Sequence, residues 1–242
     1  MREGEICDTP GTPPSTNTAD SLTRSEKESR LASVAHRAEA SPEARKLGTL
    51  RDIMVFATGN PDADIMFIGE APGADEEKQR KPFVGVAGQL LTGVIKAMGL
   101  ERSDVYISNV CKFRPITDDG RPQGTRNRAP TGTEMQSCLD YVREEIDIVQ
   151  PRVIVALGKT AVEGLLHRNV AITRLRGQWL EFQGIPLMPT FHPSYLKRKE
   201  DEGETIANEE KRKHWEDMMM VMERLGMVIT DRQRGYFLPK QR

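Results

Sequence analysis

The sequence predicts a three-layer α/β/α sandwich around a central, mostly parallel four-stranded sheet, and two observations carry that reading. Short apolar runs at residues 65–68, 105–107, 153–157 and 187–191 alternate with longer stretches of helical period. The third run, Val153-Ile154-Val155-Ala156-Leu157, is apolar at every position, as expected of a strand covered by helices on both faces. Strands that alternate with helices favour parallel pairing through right-handed crossovers.

Residues 1–40 combine Pro, Thr, Ser, Glu and Arg with almost no large apolar side chains, and read as a disordered N-terminal arm. Leu31 and Val34, three apart among good helix formers, give its second half a transient helical tendency. The folded domain is expected over residues 41–226. After the first strand, residues 89–98 place Leu90, Leu91, Val94, Ile95 and Met98 on one helical face, and Gly99 stops the helix. The second strand precedes a helix over 134–149, which Pro151 ends. The third strand leads to a helix over 160–166. The last strand runs into His192-Pro193-Ser194, and a Met-rich helix over 208–225 closes the domain. Residues 227–242, with Tyr236, Phe237 and Leu238, read as a C-terminal tail.

A chain of 242 residues, 37% hydrophobic and 29% charged, can bury one sizeable core but hardly two large ones. Lys and Arg number 35 against 36 Asp and Glu, so any nucleic-acid partner must be argued from a local patch. Such a patch exists: Lys112, Arg114, Arg121, Arg126 and Arg128 are diluted only by Asp118 and Asp119, and Tyr195-Leu196-Lys197-Arg198-Lys199 sets apolar groups beside three cations. No apolar run approaches the roughly 18 residues of a membrane span, and residues 1–20 are polar, so a cytoplasmic protein without a membrane partner is expected. Cys7, Cys111 and Cys138 contain no C-x-x-C pair and fit a reducing compartment.

Ligands of open α/β sheets bind beyond the carboxyl ends of the strands. The loops there read Gly69-Glu70-Ala71-Pro72-Gly73, Ser108-Asn109-Val110, Gly158-Lys159-Thr160 and His192-Pro193-Ser194. Gly158-Lys159-Thr160 is no Walker loop, because Val153 stands where its first glycine is required, and Gly69 and Gly73 lack dinucleotide-binding spacing.

Three motifs in order carry a specific resemblance. They are the Gly69 loop with Pro82-Phe83-Val84-Gly85-Val86-Ala87-Gly88, then Tyr106-Ile107-Ser108-Asn109-Val110-Cys111-Lys112-Phe113-Arg114-Pro115, then His192-Pro193-Ser194-Tyr195-Leu196. From about residue 59 to 225 the chain resembles the uracil-DNA glycosylase superfamily, closest to its iron-sulfur family, usually numbered four. The resemblance implies a monofunctional glycosylase that flips uracil out of single- or double-stranded DNA, hydrolyses its N-glycosidic bond to begin base-excision repair, and acts as a monomer. It places Gly69, Ala71, Glu76, Phe83, Asn109 and His192 around the uracil. Phe83 would stack on the base, Asn109 would read N3–H and O4, and Glu76 would exclude the thymine methyl. His192, with backbone N–H groups near Glu70 and Ala71, would meet charge on O2, while Glu70 would hold the attacking water or stabilise the sugar cation. Lys112, Arg114, Arg128, Ser194, Tyr195, Lys197 and Arg198 would grip DNA, with Leu196 as the plug filling the vacated stack.

The chain departs from that family in two places. Of four cysteines that would hold a 4Fe-4S cluster only Cys138 is matched; Phe113 stands at the third position, and Cys7 lies far upstream, so no metal or cluster is expected. Residues 116–125 form a lengthened loop without histidine, which argues against covalent capture of DNA there. Two rival readings are a non-catalytic or covalent uracil-DNA binding protein and a glycosylase for hypoxanthine or xanthine.

Overall fold

A computed structural model describes residues 22–238. The chain begins with α1 (Arg24–Glu39), α2 (Pro42–Lys46), β1 (Leu50–Met54) and β2 (Thr58–Gly59). Next come β3 (Ile65–Gly69), α3 (Ala74–Gln79), α4 (Val86–Ala97), β4 (Tyr106–Asn109), β5 (Phe113–Pro115) and α5 (Gly132–Val149). It continues through β6 (Val153–Leu157), α6 (Lys159–Leu166), α7 (Ile172–Leu175), β7 (Leu180–Phe182) and β8 (Ile185–Thr190). The last helices are α8 (Pro193–Glu200), α9 (Glu204–Arg224) and α10 (Asp231–Arg234).

The main sheet has the order β2-β4-β3-β6-β8-β7. Its four central strands are parallel and are the four that the apolar runs predict. β2 and β7 add short antiparallel edges, and β1 pairs with β5 in a separate ribbon. Alternation along each strand builds the three layers. Met66, Ile68, Ile154 and Ala156 face α1, α5 and α6, whereas Ile65, Phe67, Val153, Val155 and Leu157 face α4 and α9. β3 leads to helices on one face and β6 to helices on the other, so the loops after these strands diverge and leave a crevice at their carboxyl ends.

Two expectations need correction. Residues 1–21 lie outside the described residues, but 24–39 of the supposed arm form α1, opened by a capping box in which Thr23 and Glu26 bond each other's backbone. Leu31, Val34 and Ala38 are buried against α5, and Lys27 donates to the Pro61 and Val149 carbonyls. Mean composition hides this helix, since one narrow stripe is enough when the opposing surface is already built. The supposed tail likewise folds back over its described part. Met227, Ile229 and Tyr236 pack on the α4–α9 layer, Gln233 donates to the Ala97 carbonyl, and Trp215 Nε1 donates to the Gln233 carbonyl.

Leu31→Ala should lower unfolding stability by about 2 kcal/mol in denaturant titration. An arm without structure would register no change.

Candidate active site

A pocket of about 380 Å³ opens at the carboxyl ends of β3, β4 and β8. Ala71, Glu76, Phe83, Asn109 and His192, which the family resemblance assigns to the base, line it together with Glu70, the expected catalytic carboxylate; Gly69, also assigned to the base, lies beneath rather than in the lining. Asn127, just beyond the lengthened loop, also lines it and was not among the expected residues.

The floor depends on a missing side chain. Gly69 and Asn109 are register partners at the ends of β3 and β4, and the ladder continues with the Val110 N–H donating to the Gly69 carbonyl at 2.9 Å. A Cβ at residue 69 would lie 2.4 Å from both Asn109 Oδ1 and the Phe83 ring, so only glycine lets amide and ring converge. Asn109 is buried, and its Oδ1 has no hydrogen-bond partner among the described residues. A buried acceptor left open is unfavourable unless something donates to it, which marks Oδ1 as the docking point for an N–H.

Phe83 is buried with φ +53°, a left-handed conformation that bulky residues rarely adopt. Glu76 maintains it. Its carboxylate accepts from the Gly73 N–H at 3.1 Å, the Val84 N–H at 3.0 Å and the Gly85 N–H at 2.8 Å, tying the start of α3 to the loop just after Phe83.

His192 is the N-cap of α8. Its Nδ1 accepts from the Ser194 N–H at 3.1 Å, with the Ser194 hydroxyl 2.7 Å away. A neutral ring bonded in this way carries its proton on Nε2. Burial pushes the imidazole pKa below its ordinary value, with Glu70 acting in the opposite direction. Gly158, at φ +91°, lies so close that a Cβ there would come within 2.8 Å of His192 Cβ.

Several expected DNA contacts are corrected. Lys112 is wholly buried: its ammonium reaches both Glu145 oxygens at 2.8 and 2.9 Å and Ser108 Oγ at 2.6 Å, 5.3 Å from the centre of the Phe56 ring. Arg114 is also buried, bonded to Glu77, Asn127 and the carbonyls of Gly124 and Arg126, where it anchors the lengthened loop. Arg121 and Arg126 both pair with Asp119. Arg128 does line the pocket, while also bonding Glu134 and the Ile116 carbonyl. Leu196, the expected plug, is only 3% exposed, because Pro193 and Leu196 form the buried stripe of α8. Lys197 and Arg198 are exposed on that helix, and Ser194 and Arg198 line the pocket. His214 is buried on α9.

The compartment corresponding to the family's cluster does not fit one. Cys111 and Cys138 are both fully buried there, packed with Ala38, Ala44, Leu50, Met54 and Phe113. Two thiols are half of a four-cysteine set, and among the described residues no group of three or more His, Cys, Asp or Glu side chains converges on a common point.

The family model for the uracil DNA glycosylase superfamily matches residues 56–219. A type-4 uracil-DNA glycosylase of Thermotoga maritima is 43% identical over 150 residues, covering 61% of this chain and 73% of that protein. A type-4 enzyme of Archaeoglobus fulgidus is 38% identical over 148 residues, 58% of this chain and 70% of its own length. A type-5 enzyme of Pyrobaculum aerophilum is 30% identical over 155 residues, 57% of this chain and 64% of its own.

Lys112→Met would leave Glu145 buried without its cation and should destabilise the fold by about 3–5 kcal/mol. The salt dependence of DNA binding should stay as in the wild type; a slope reduced by about one would restore the phosphate-contact reading.

Proposed function

The chain belongs to the uracil-DNA glycosylase superfamily, and from that premise we propose that it is a uracil-DNA glycosylase that cleaves the N-glycosidic bond of a uracil turned out of DNA. The observation supporting this most directly is the open Asn109 Oδ1, buried beside the Phe83 ring. Uracil offers N3–H to that oxygen and takes the Asn109 amide N–H at O4; cytosine reverses both groups. A pocket built on a hydrogen-bond pattern discriminates by on the order of 10⁴-fold. Phe83 stacks on the base, adding about 1–3 kcal/mol. Gly69 and Ala71 let the backbone come close, and Glu76 fixes the loop edge that faces the thymine methyl.

When the bond from C1′ to N1 breaks, the electron pair leaves with uracil and the sugar becomes an oxocarbenium ion. His192 Nε2–H donates to O2 as negative charge gathers there, with the backbone N–H groups of Glu70 and Ala71 beside it. The Glu70 carboxylate stabilises the sugar cation or holds the water that adds to C1′. Arg128, Ser194, Tyr195, Lys197 and Arg198 contact the DNA, and Leu196 supports α8 from behind. We assign the work to a monomer, since one chain supplies every pocket residue, acting without a cluster in the reducing cytoplasm that two free buried thiols suit. Glu70, Asn109 and His192 lining one pocket favour turnover over capture.

A uracil-containing oligonucleotide should acquire alkali-labile abasic sites, whereas a retained or denaturant-resistant complex would mark a binder and cleavage only of hypoxanthine or xanthine a different glycosylase. His192→Ala should slow single-turnover release by about 10²–10³-fold. Protein purified anaerobically should be colourless; near-stoichiometric iron would refute the cluster-free reading.

The acid limb follows from His192. Because burial lowers its folded pKa beneath the unfolded value of about 6.5, the ring is neutral above that pH, and the stability tied to the neutral form is fully present there and is lost progressively as pH falls from that value through the folded one. Single-turnover rates should stay level from about pH 8 to 6.5 and decline below, when a second proton on Nδ1 displaces the Ser194 N–H. An acid limb centred above 6.5 would count against this tautomer.

A further inference from the structure

β8 ends at Thr190, which is fully buried two residues before His192. Its hydroxyl donates to Asp217 Oδ2 at 2.6 Å, which leaves a lone pair to accept the Nδ1–H of His214 at 2.9 Å. Burial pushes His214 down to about 4, consistent with a neutral ring whose single proton is the one given to Thr190. Asp217, buried on α9, is gripped by both arms of Arg176. The Arg176 guanidinium lies 5.7 Å from the centre of the Phe191 ring, which packs on Tyr195 at 4.8 Å. On the opposite edge the Gly158 N–H donates to the Thr190 carbonyl at 2.8 Å. The backbone is therefore held at 190 and 191 and again at 195, leaving His192 little freedom between.

None of Thr190, His214, Asp217 and Arg176 lines the pocket. A buried polar cluster is a weak source of net stability, because well-packed apolar groups of the same volume do as well; what it supplies is direction. We propose that these four side chains form a positioning network that sets where His192 Nε2 points. The proposal rests on the reading that His192 donates to the departing base. They are positioning residues, acting through His192 without touching substrate.

Thr190→Val keeps the shape and removes the hydroxyl, and Thr190→Ser keeps the hydroxyl. Two measurements on the full chain decide: single-turnover uracil release together with the Kd for uracil-containing DNA, and nitrogen NMR of the His192 ring in DNA-free protein. Thr190→Val should slow release by about 10- to 100-fold, the scale of a misplacement near 1 Å, with Kd changed less than about twofold. It should also blur the Nε2–H tautomer signature of His192, and Thr190→Ser should restore both. Wild-type release with an unaltered His192 spectrum in Thr190→Val would overturn the network, as would equal impairment of the two variants. If wild-type protein releases no uracil, the glycosylase reading fails by itself, and the ring spectrum still decides whether Thr190 orients His192. Should Thr190→Val not fold, Asp217→Asn, which retains size and drops the charge holding Arg176, replaces it with the same expected outcomes.

Discussion

The active site depends on a close approach that one hydrogen atom permits. Parallel pairing of β3 and β4 brings Gly69 opposite Asn109, and the absence of a Cβ at 69 lets a carboxamide oxygen and an aromatic ring enter the same small volume. A sheet ladder sets register to within a residue, and a one-residue slip would send Asn109 to the other face. The apolar strands thus do more than fill a core: Met66 to Gly69, paired in step with Tyr106 to Asn109, are the ruler by which amide and ring are placed.

Each functional group is then held by polar atoms beside or beneath it, some of them fully buried. Beneath Asn109 lies the Ser108–Lys112–Glu145 cluster, with the Lys112 ammonium bonded to three oxygens and its charge fully matched by one carboxylate. Behind Phe83 stands Glu76 with three backbone N–H groups, and behind His192 are Ser194 and the Thr190 chain. Ionic groups are costly to bury, and they recur here where direction matters most, at the ends of strands, where loops would otherwise be loose.

The strands and long helices were legible because their apolar periods are uninterrupted; the loops after parallel strands showed where a pocket would lie, and the family resemblance supplied which residues to expect in it. Lys112 and Arg114 were misread for one reason: a row of cations looks the same in sequence whether it faces phosphate or buried carboxylates, and the partners Glu145 and Glu77 lie more than thirty residues away. Leu196 was misread because a two-residue stripe on an eight-residue helix is too short to reveal a period. α1 escaped because its burial depends on a surface that α5 supplies. His214 and Asp217 belong to a helix whose Met-rich face was recognised, but a buried hydrogen bond to Thr190 leaves no periodic trace.

The compartment around Phe113 shows how three separate segments are held together by packing and one charged side chain. In the related iron-sulfur family, four cysteines would join an upstream segment, the turn after the second central strand and the following helix. Here the same three segments meet around Phe113: α1 and α2 contribute Ala38 and Ala44, the turn contributes Cys111, and α5 contributes Cys138. Arg128 fastens the rim, donating to the Thr49 carbonyl, the Ile116 carbonyl and the Glu134 carboxylate, so one guanidinium touches all three. That pairing holds Glu134 ionised, at about 2, against the opposing pull of its own burial. Contacts that individually amount to tenths of a kcal/mol, summed over a close-packed ring and tied by a charged fork, hold these three segments together. Because Arg128 also lines the pocket, the brace that closes this compartment is continuous with the pocket wall.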